Sequence, residues 1–142
     1  MSAINMMQVE RKDNELTITQ VLNAPRSLVF KVWTDPGHLA KWWGPKGFTN
    51  PVCEIDFRPG GAILIHMQGP DGTVYPMSGE YNEIVESERL VFTSSALDKE
   101  GKPLFEVITT VTFMEIGEST RLSMHASAVK IRESPRMRPP TS

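Results

Sequence analysis

Apolar and polar residues alternate with period two along most of this chain, and one stretch between residues 25 and 48 breaks the rhythm. LTITQVL sets Leu16, Ile18 and Gln20 against Thr17, Thr19 and Val21, which predicts a first strand behind a frayed leader at residues 1–15. After the turn NAPR, Leu28, Val29, Val32 and Trp33 recur at helical spacing. Asn23 is placed to cap this helix, and Pro25 suits its first turn, where a missing N–H costs nothing. Thr34 and Asp35 before Pro36 predict a stop and a restart. The residue ahead of a proline is pushed out of the α region, while Asp35 can cap the next turn. A second short helix then carries Leu39, Trp42 and Trp43, and Gly44 with Pro45 ends it.

From Pro51 the period returns to two. VCEIDF and AILIHM predict strands joined by RPGG, where Gly60 and Gly61 are expected to supply positive φ. TVYPMSGEYNEIV, LVFTSSA, FEVITTVTFME and TRLSMHASA follow as strands, separated by turn chemistry at SER and DKEGKP. Phe105, Val107, Val111 and Phe113 share one side of their strand, as do Leu122, Met124, Ala126 and Ala128 of the next. The expected fold class is α+β: a curved antiparallel sheet of about seven strands, apolar on one face, with two short helices after the first strand. Two such helices cannot cover that face. A sheet of this kind grips a long amphipathic helix, and the space beneath it becomes a ligand cavity.

Composition narrows the function. At 142 residues and 39% hydrophobic, the chain fits a single domain with one core. Net charge is −2 and the cations are scattered, so nucleic acid is not expected as a partner. Lys130, Arg132, Arg136 and Arg138 cluster among prolines as a solvated tail. The single cysteine, Cys53, cannot form an intrachain disulfide, and the N-terminus lacks a secretory apolar stretch, so a cytoplasmic location is expected. No apolar run nears the roughly 20 residues that cross a bilayer, and no membrane association is expected.

The chemistry-bearing residues point to a binding cavity. Trp43 and Phe48 flank the GPKG turn and are candidates for its mouth, whereas Trp33 and Trp42 are expected in the core. Met77 and Met124 are in phase with Tyr81 and Leu122, which places all four on the concave side as adaptable walls. The candidate ligand-binding set is therefore Trp43, Phe48, Met77, Tyr81 and Met124. His125 falls on a polar phase with Arg121 and Ser123, Glu54 and Asp56 share an exposed edge, and the facing of His66 stays open because AILI is apolar on both phases. No histidine or cysteine pair has metal-ligand spacing, and there is no G-x-S-x-G or Walker pattern. Accordingly no catalytic residue, metal or cofactor is assigned.

Four segments carry a resemblance: APRSLVFKVWTDPGHLAKWWGPKGF (24–48), FRPGG (57–61), PDGTVYPMSGEYNEIVESERLVFT (70–93) and TRLSMH (120–125). In this order they resemble the START-like, helix-grip (SRPBCC) superfamily and, more narrowly, the homologues of the activator of the heat-shock-protein-90 ATPase. The resemblance spans residues 15–128. It implies a β-α-α-β-β-β-β-β-β-α topology and binding of a hydrophobic or aromatic small molecule, with a chaperone as the alternative partner. A third class, a cavity enzyme of hydrolase or cyclase type, would draw on Glu54, His66 or Tyr81 for acid–base work.

The last helix of that topology is where the chain departs from the pattern. Residues 129–142 hold Pro135, Pro139 and Pro140, so only about two turns fit before the first proline, and an interior proline costs a helix about 3 kcal/mol. A single domain over residues 1–128 with a short basic tail at 129–142 is expected, the long final helix being missing or truncated. A bare concave face exceeds the few hundred Å² of apolar patch that a monomer tolerates. Homo-oligomerisation through that face is the expected remedy.

Overall fold

A computed structural model describes residues 8–129 apart from Asp13, Pro45 and Lys99. The strands are β1 (Gln8–Lys12), β2 (Glu15–Leu22), β3 (Thr49–Ile55), β4 (Ala62–Gln68), β5 (Val74–Val85), β6 (Arg89–Leu97), β7 (Pro103–Ile116) and β8 (Ser119–Val129). Two helices, α1 (Arg26–Thr34) and α2 (Pro36–Trp42), fall between β2 and β3. One eight-stranded antiparallel sheet runs β1-β2-β8-β7-β6-β5-β4-β3. Strands β3 to β8 form a meander, and β2 returns to pair with β8 at its far side. No helix among the described residues is long and apolar enough to cross a membrane.

The eighth strand corrects the frayed leader. Lys12 pairs with Glu15, and Val9 faces Ile18, so residues 8–12 close a hairpin on β2. Glu10, Arg11 and Lys12 charge this outer edge, which discourages further strand pairing. Pro51 stands in β3, the opposite edge, where its missing donor interrupts no ladder on the free side.

Cross-strand register sets the concave face row by row. Cys53, Ile65, Met77, Ala96 and Phe105 form one row, and Tyr81, Phe92, Thr109, Ala126 and Leu16 form another. A third joins Ile84, Leu90, Val111, Met124 and Ile18. The buried core draws on these rows over β4–β6, with Ile65, Leu90 and Val111 at 0–1% exposure. Toward β2 and the start of β7 the same rows open, and Phe105 is 43% exposed.

The helices lie across one end of this trough. Asp35 caps α2 as expected, its Oδ2 accepting from the His38 N–H at 3.1 Å, with Pro36 in the first turn. Asn23 does not cap α1. The cap position is Pro25, whose carbonyl accepts from Leu28 and Val29, while Asn23 Oδ1 accepts a hydrogen bond from Ser119 Oγ at 3.5 Å. The buried face of α1 is Val29 and Phe30, and Leu28 is 47% exposed. Phe30 turns inward because its ring meets Phe113 of β7 edge-on at 5.3 Å. Thr120, fully buried, donates to the Ala24 carbonyl at 2.7 Å and ties β8 to the entry of α1. Residues 130–142, and with them the expected loss of the final helix, lie outside the described residues.

Candidate functional site

Between the helices and β4–β6 lies an apolar void lined by Trp33, Leu39, Trp43, Ile63, Ile65, Met77, Tyr81, Leu90 and Phe92. It has room for little more than one water. Four of its lining rings, those of Trp33, Trp43, Tyr81 and Phe92, belong to a chain of eight that runs Trp33, Trp42, Trp43, Phe92, Tyr81, Phe57, Phe30 and Phe113, with successive centroids 4.7 to 6.4 Å apart. Edge-to-face pairs of this kind fix ring orientation as well as burying area.

Each wall has a local cause. Trp43 stands at the C-terminal cap of α2, and a β-bulge between Thr49 and Val52 sets Asn50 beneath it. Asn50 Nδ2 donates to the carbonyls of Ala40 and Trp43 at 2.9 and 2.8 Å, so the end of a short helix gains donors it lacks by itself. Tyr81 is held through its backbone by the RPGG turn: its N–H donates to Gly61 and its carbonyl accepts from Gly60. Of those two glycines only Gly60 has positive φ, at +82°. Gly61 is required for space instead, since a Cβ there would overlap the Asp56 carbonyl oxygen.

Of the five expected ligand-binding residues, Trp43, Met77 and Tyr81 meet at this void. Phe48 stands apart from the void, its ring tilted 40° against Tyr75 with centroids 5.8 Å apart. Met124 packs against the core in the row of Leu90 and Val111, away from the void wall. Trp42 is not a core residue: it is 38% exposed and binds helix to helix, its Nε1 donating to the Val32 carbonyl at 3.0 Å. Phe30, Phe57 and Phe92 complete the ring chain, and none was singled out from sequence. Phe92 carried a usable signal, because it alternates in phase with Leu90.

Charge is absent from the void wall. Burial, and secondly the neighbouring Cys53, push the Tyr81 phenol up to about 12, and burial also raises the Cys53 thiol. Both groups therefore stay protonated at neutral pH. Glu54 and His66 belong to the convex face, since their cross-strand partners Leu64 and Pro76 alternate with the concave Ile63, Ile65 and Met77. The trio considered for acid–base work is thus divided between two sides of the sheet. His125 lies on the convex side as well, with Nε2 3.0 Å from Glu15 Oε1. No group of three or more His, Cys, Asp or Glu among the described residues is arranged to hold a metal ion.

With the geometry in place, comparison with known proteins is specific. The family described as activator of Hsp90 ATPase homolog 1-like protein matches residues 23–139. Among solved structures, protein Ms6760 from Mycobacterium smegmatis is similar at 28% identity and TM-score 0.77, over 90% of this chain and 81% of that one. Protein CV1439 from Chromobacterium violaceum shares 30% identity at TM-score 0.73, over 88% and 86% of the two chains. Protein NE0264 from Nitrosomonas europaea shares 30% identity at TM-score 0.71, over 85% and 79%. A comparison with curated proteins returns no match.

Proposed function

Because the chain belongs to the family of activator of Hsp90 ATPase homolog 1-like proteins, we propose that it binds a small hydrophobic or aromatic molecule at the void walled by Trp43, Met77, Tyr81 and Phe92. The observation that carries this reading is an almost wholly apolar void lined by the rings of Trp33, Trp43, Tyr81 and Phe92. An aromatic ring burying about 150 Å² gains roughly 4 kcal/mol at 25 cal/mol per Å², which corresponds to millimolar affinity before any cost. A tighter natural ligand therefore extends beyond the void toward Ala96 and Phe105. Entry requires side chains to move aside. Met77 has three rotatable bonds, and Trp43 is half-buried at a helix end.

Titration with the neutral fluorophore N-phenyl-1-naphthylamine tests the reading. The wild-type chain is expected to bind it, and Trp43→Ala to bind about threefold to tenfold more weakly, the worth of one aromatic contact. Absence of binding to the wild type overturns the reading, and an unchanged affinity removes Trp43 from the site.

A second reading follows from exposed Phe105 and half-buried Leu16, Val107 and Ala126, over which no described residue packs. A second copy of the chain supplies the cover. Sedimentation equilibrium is expected to give a mass that rises with concentration, and a constant monomer mass refutes it. Contact with a chaperone is supported by the family description alone.

A further inference from the structure

We propose that the chain carries a second ligand site, separate from the void, in the groove between α1 and the turn joining β5 to β6. Its occupant is a small zwitterion with an apolar side chain, the chemistry of an aromatic amino acid. The groove measures about 450 Å³, within the range of small-molecule sites. No residue that lines it lines the void.

Helical spacing builds one wall. Ser27, Phe30, Lys31 and Thr34 stand at i, i+3, i+4 and i+7, so α1 turns a single stripe toward the groove, with Lys31 as its one charge. Across from it stand Phe57 beyond the end of β3, Ile84 near the end of β5, and Glu86 with Ser87 in the turn. Phe30 and Ile84 are buried and half-buried. Phe57 is 38% exposed, yet edge contacts to Phe30 at 5.9 Å and to Tyr81 at 5.1 Å hold its ring in place.

Charge decides the occupant. Lys31 and Glu86 stand on opposite walls, and neither takes part in an ion pair among the described residues. Their neighbours are matched. Arg58, next to Phe57, pairs with Asp56 at 2.8 Å, and Arg89, which follows the turn holding Glu86, pairs with Glu83 at 3.0 Å. Asp35, the acid nearest to Lys31 in sequence, is held by His38 at 2.9 Å, and the pull of Lys31 is the least of the causes that lower its carboxyl. A ligand carrying an ammonium and a carboxylate meets Glu86 with one and Lys31 with the other, while its side chain covers Phe57. A ligand with one charge satisfies one wall and is repelled by the other.

Two further observations favour a small molecule. Ser87 is the one residue other than glycine with positive φ among the described residues, at +60°. Holding serine there costs about 1–2 kcal/mol, and such strain gathers at ligand sites. The groove presents eight residues, whereas a stable protein interface takes about 20–30 a side.

Four probes that share a phenyl ring test the proposal: L-phenylalanine, phenethylamine without its carboxylate, hydrocinnamate without its ammonium, and uncharged N-acetyl-L-phenylalanine amide. Binding to the full chain is followed by amide chemical shifts. L-phenylalanine is expected to move the resonances of residues 27–34 and 86–87. It is expected to bind about twofold to fivefold more tightly than either singly charged probe, the worth of one exposed ion pair. Lys31→Gln is expected to abolish the advantage over phenethylamine, and Glu86→Gln the advantage over hydrocinnamate. Both side chains are exposed and neither lines the void, so melting temperature and N-phenyl-1-naphthylamine binding are expected unchanged in the two variants. Absence of shifts at residues 27–34 and 86–87, equal affinity for the three charged probes, or an advantage that survives both substitutions overturns the proposal and leaves the void untouched. Equal or tighter binding of the uncharged amide overturns it too, by making the occupant a peptide segment of a partner protein.

Discussion

Asn50 is the side chain on which the placement of Trp43 depends, and its replacement gives a graded test. Its amide donates to the Ala40 and Trp43 carbonyls, while its own Oδ1 is buried without a partner. Asn50→Ala removes two hydrogen bonds worth about 1 kcal/mol each, and also removes the orphan oxygen, which returns about 1 kcal/mol. The net loss is about 1 kcal/mol, or a melting temperature lower by about 2–4 °C for a domain of this size. Asn50→Asp is expected to be worse, because a carboxylate then faces two carbonyl oxygens and loses its hydration. Burial beside those oxygens raises the introduced carboxyl's pKa in the folded state above its unfolded value. Its deficit is therefore smallest at acid pH and grows as pH rises through the carboxylate range. Thermal unfolding followed by far-ultraviolet circular dichroism, at pH 4 and pH 7, decides the matter. If Asn50→Asp matches or exceeds Asn50→Ala at pH 7, the clamp on α2 is not what holds the helix end.

Two further outcomes follow from the backbone and the caps. Gly79 sits in β5 where a Cβ would overlap the Thr93 carbonyl oxygen of β6, so Gly79→Ala is expected to cost about 3 kcal/mol in urea unfolding. Gly60→Ala, with positive φ but open space around it, is expected to cost about 1 kcal/mol, and equal losses at the two positions would refute the steric argument. Asp35 is held below the ordinary carboxylate range, first by the His38 side chain and then by the His38 N–H. Its folded pKa is depressed, so its contribution is present above the ordinary value of 3.8 and fades as pH falls through the lowered one. The gap in melting temperature between wild type and Asp35→Ala should accordingly narrow from pH 7 to pH 2, and a constant gap contradicts the assignment.

By itself the sequence determined what depends on near neighbours. Period-two alternation marked most of β2 through β8, β4 with its AILI run excepted, and put Met77 with Tyr81, and Leu122 with Met124, on one face, because successive side chains of a strand point oppositely wherever the strand lies. Asp35 before Pro36 specified a helix start for the same local reason. Tertiary structure decided the rest. β1 shows no apolar period because an edge strand needs only a partner's backbone, which Glu15–Leu22 supplies. The rotation of α1, with Phe30 inward and Leu28 outward, was fixed by Phe113 on a distant strand. Likewise Phe48 and Met124 share the right phase or loop with Trp43 yet stand elsewhere, since the void lies only where α2 crosses β4–β6. Which residues of one face come together depends on how far the sheet bends and what lies across it, and neither is written into the spacing of neighbours along a strand.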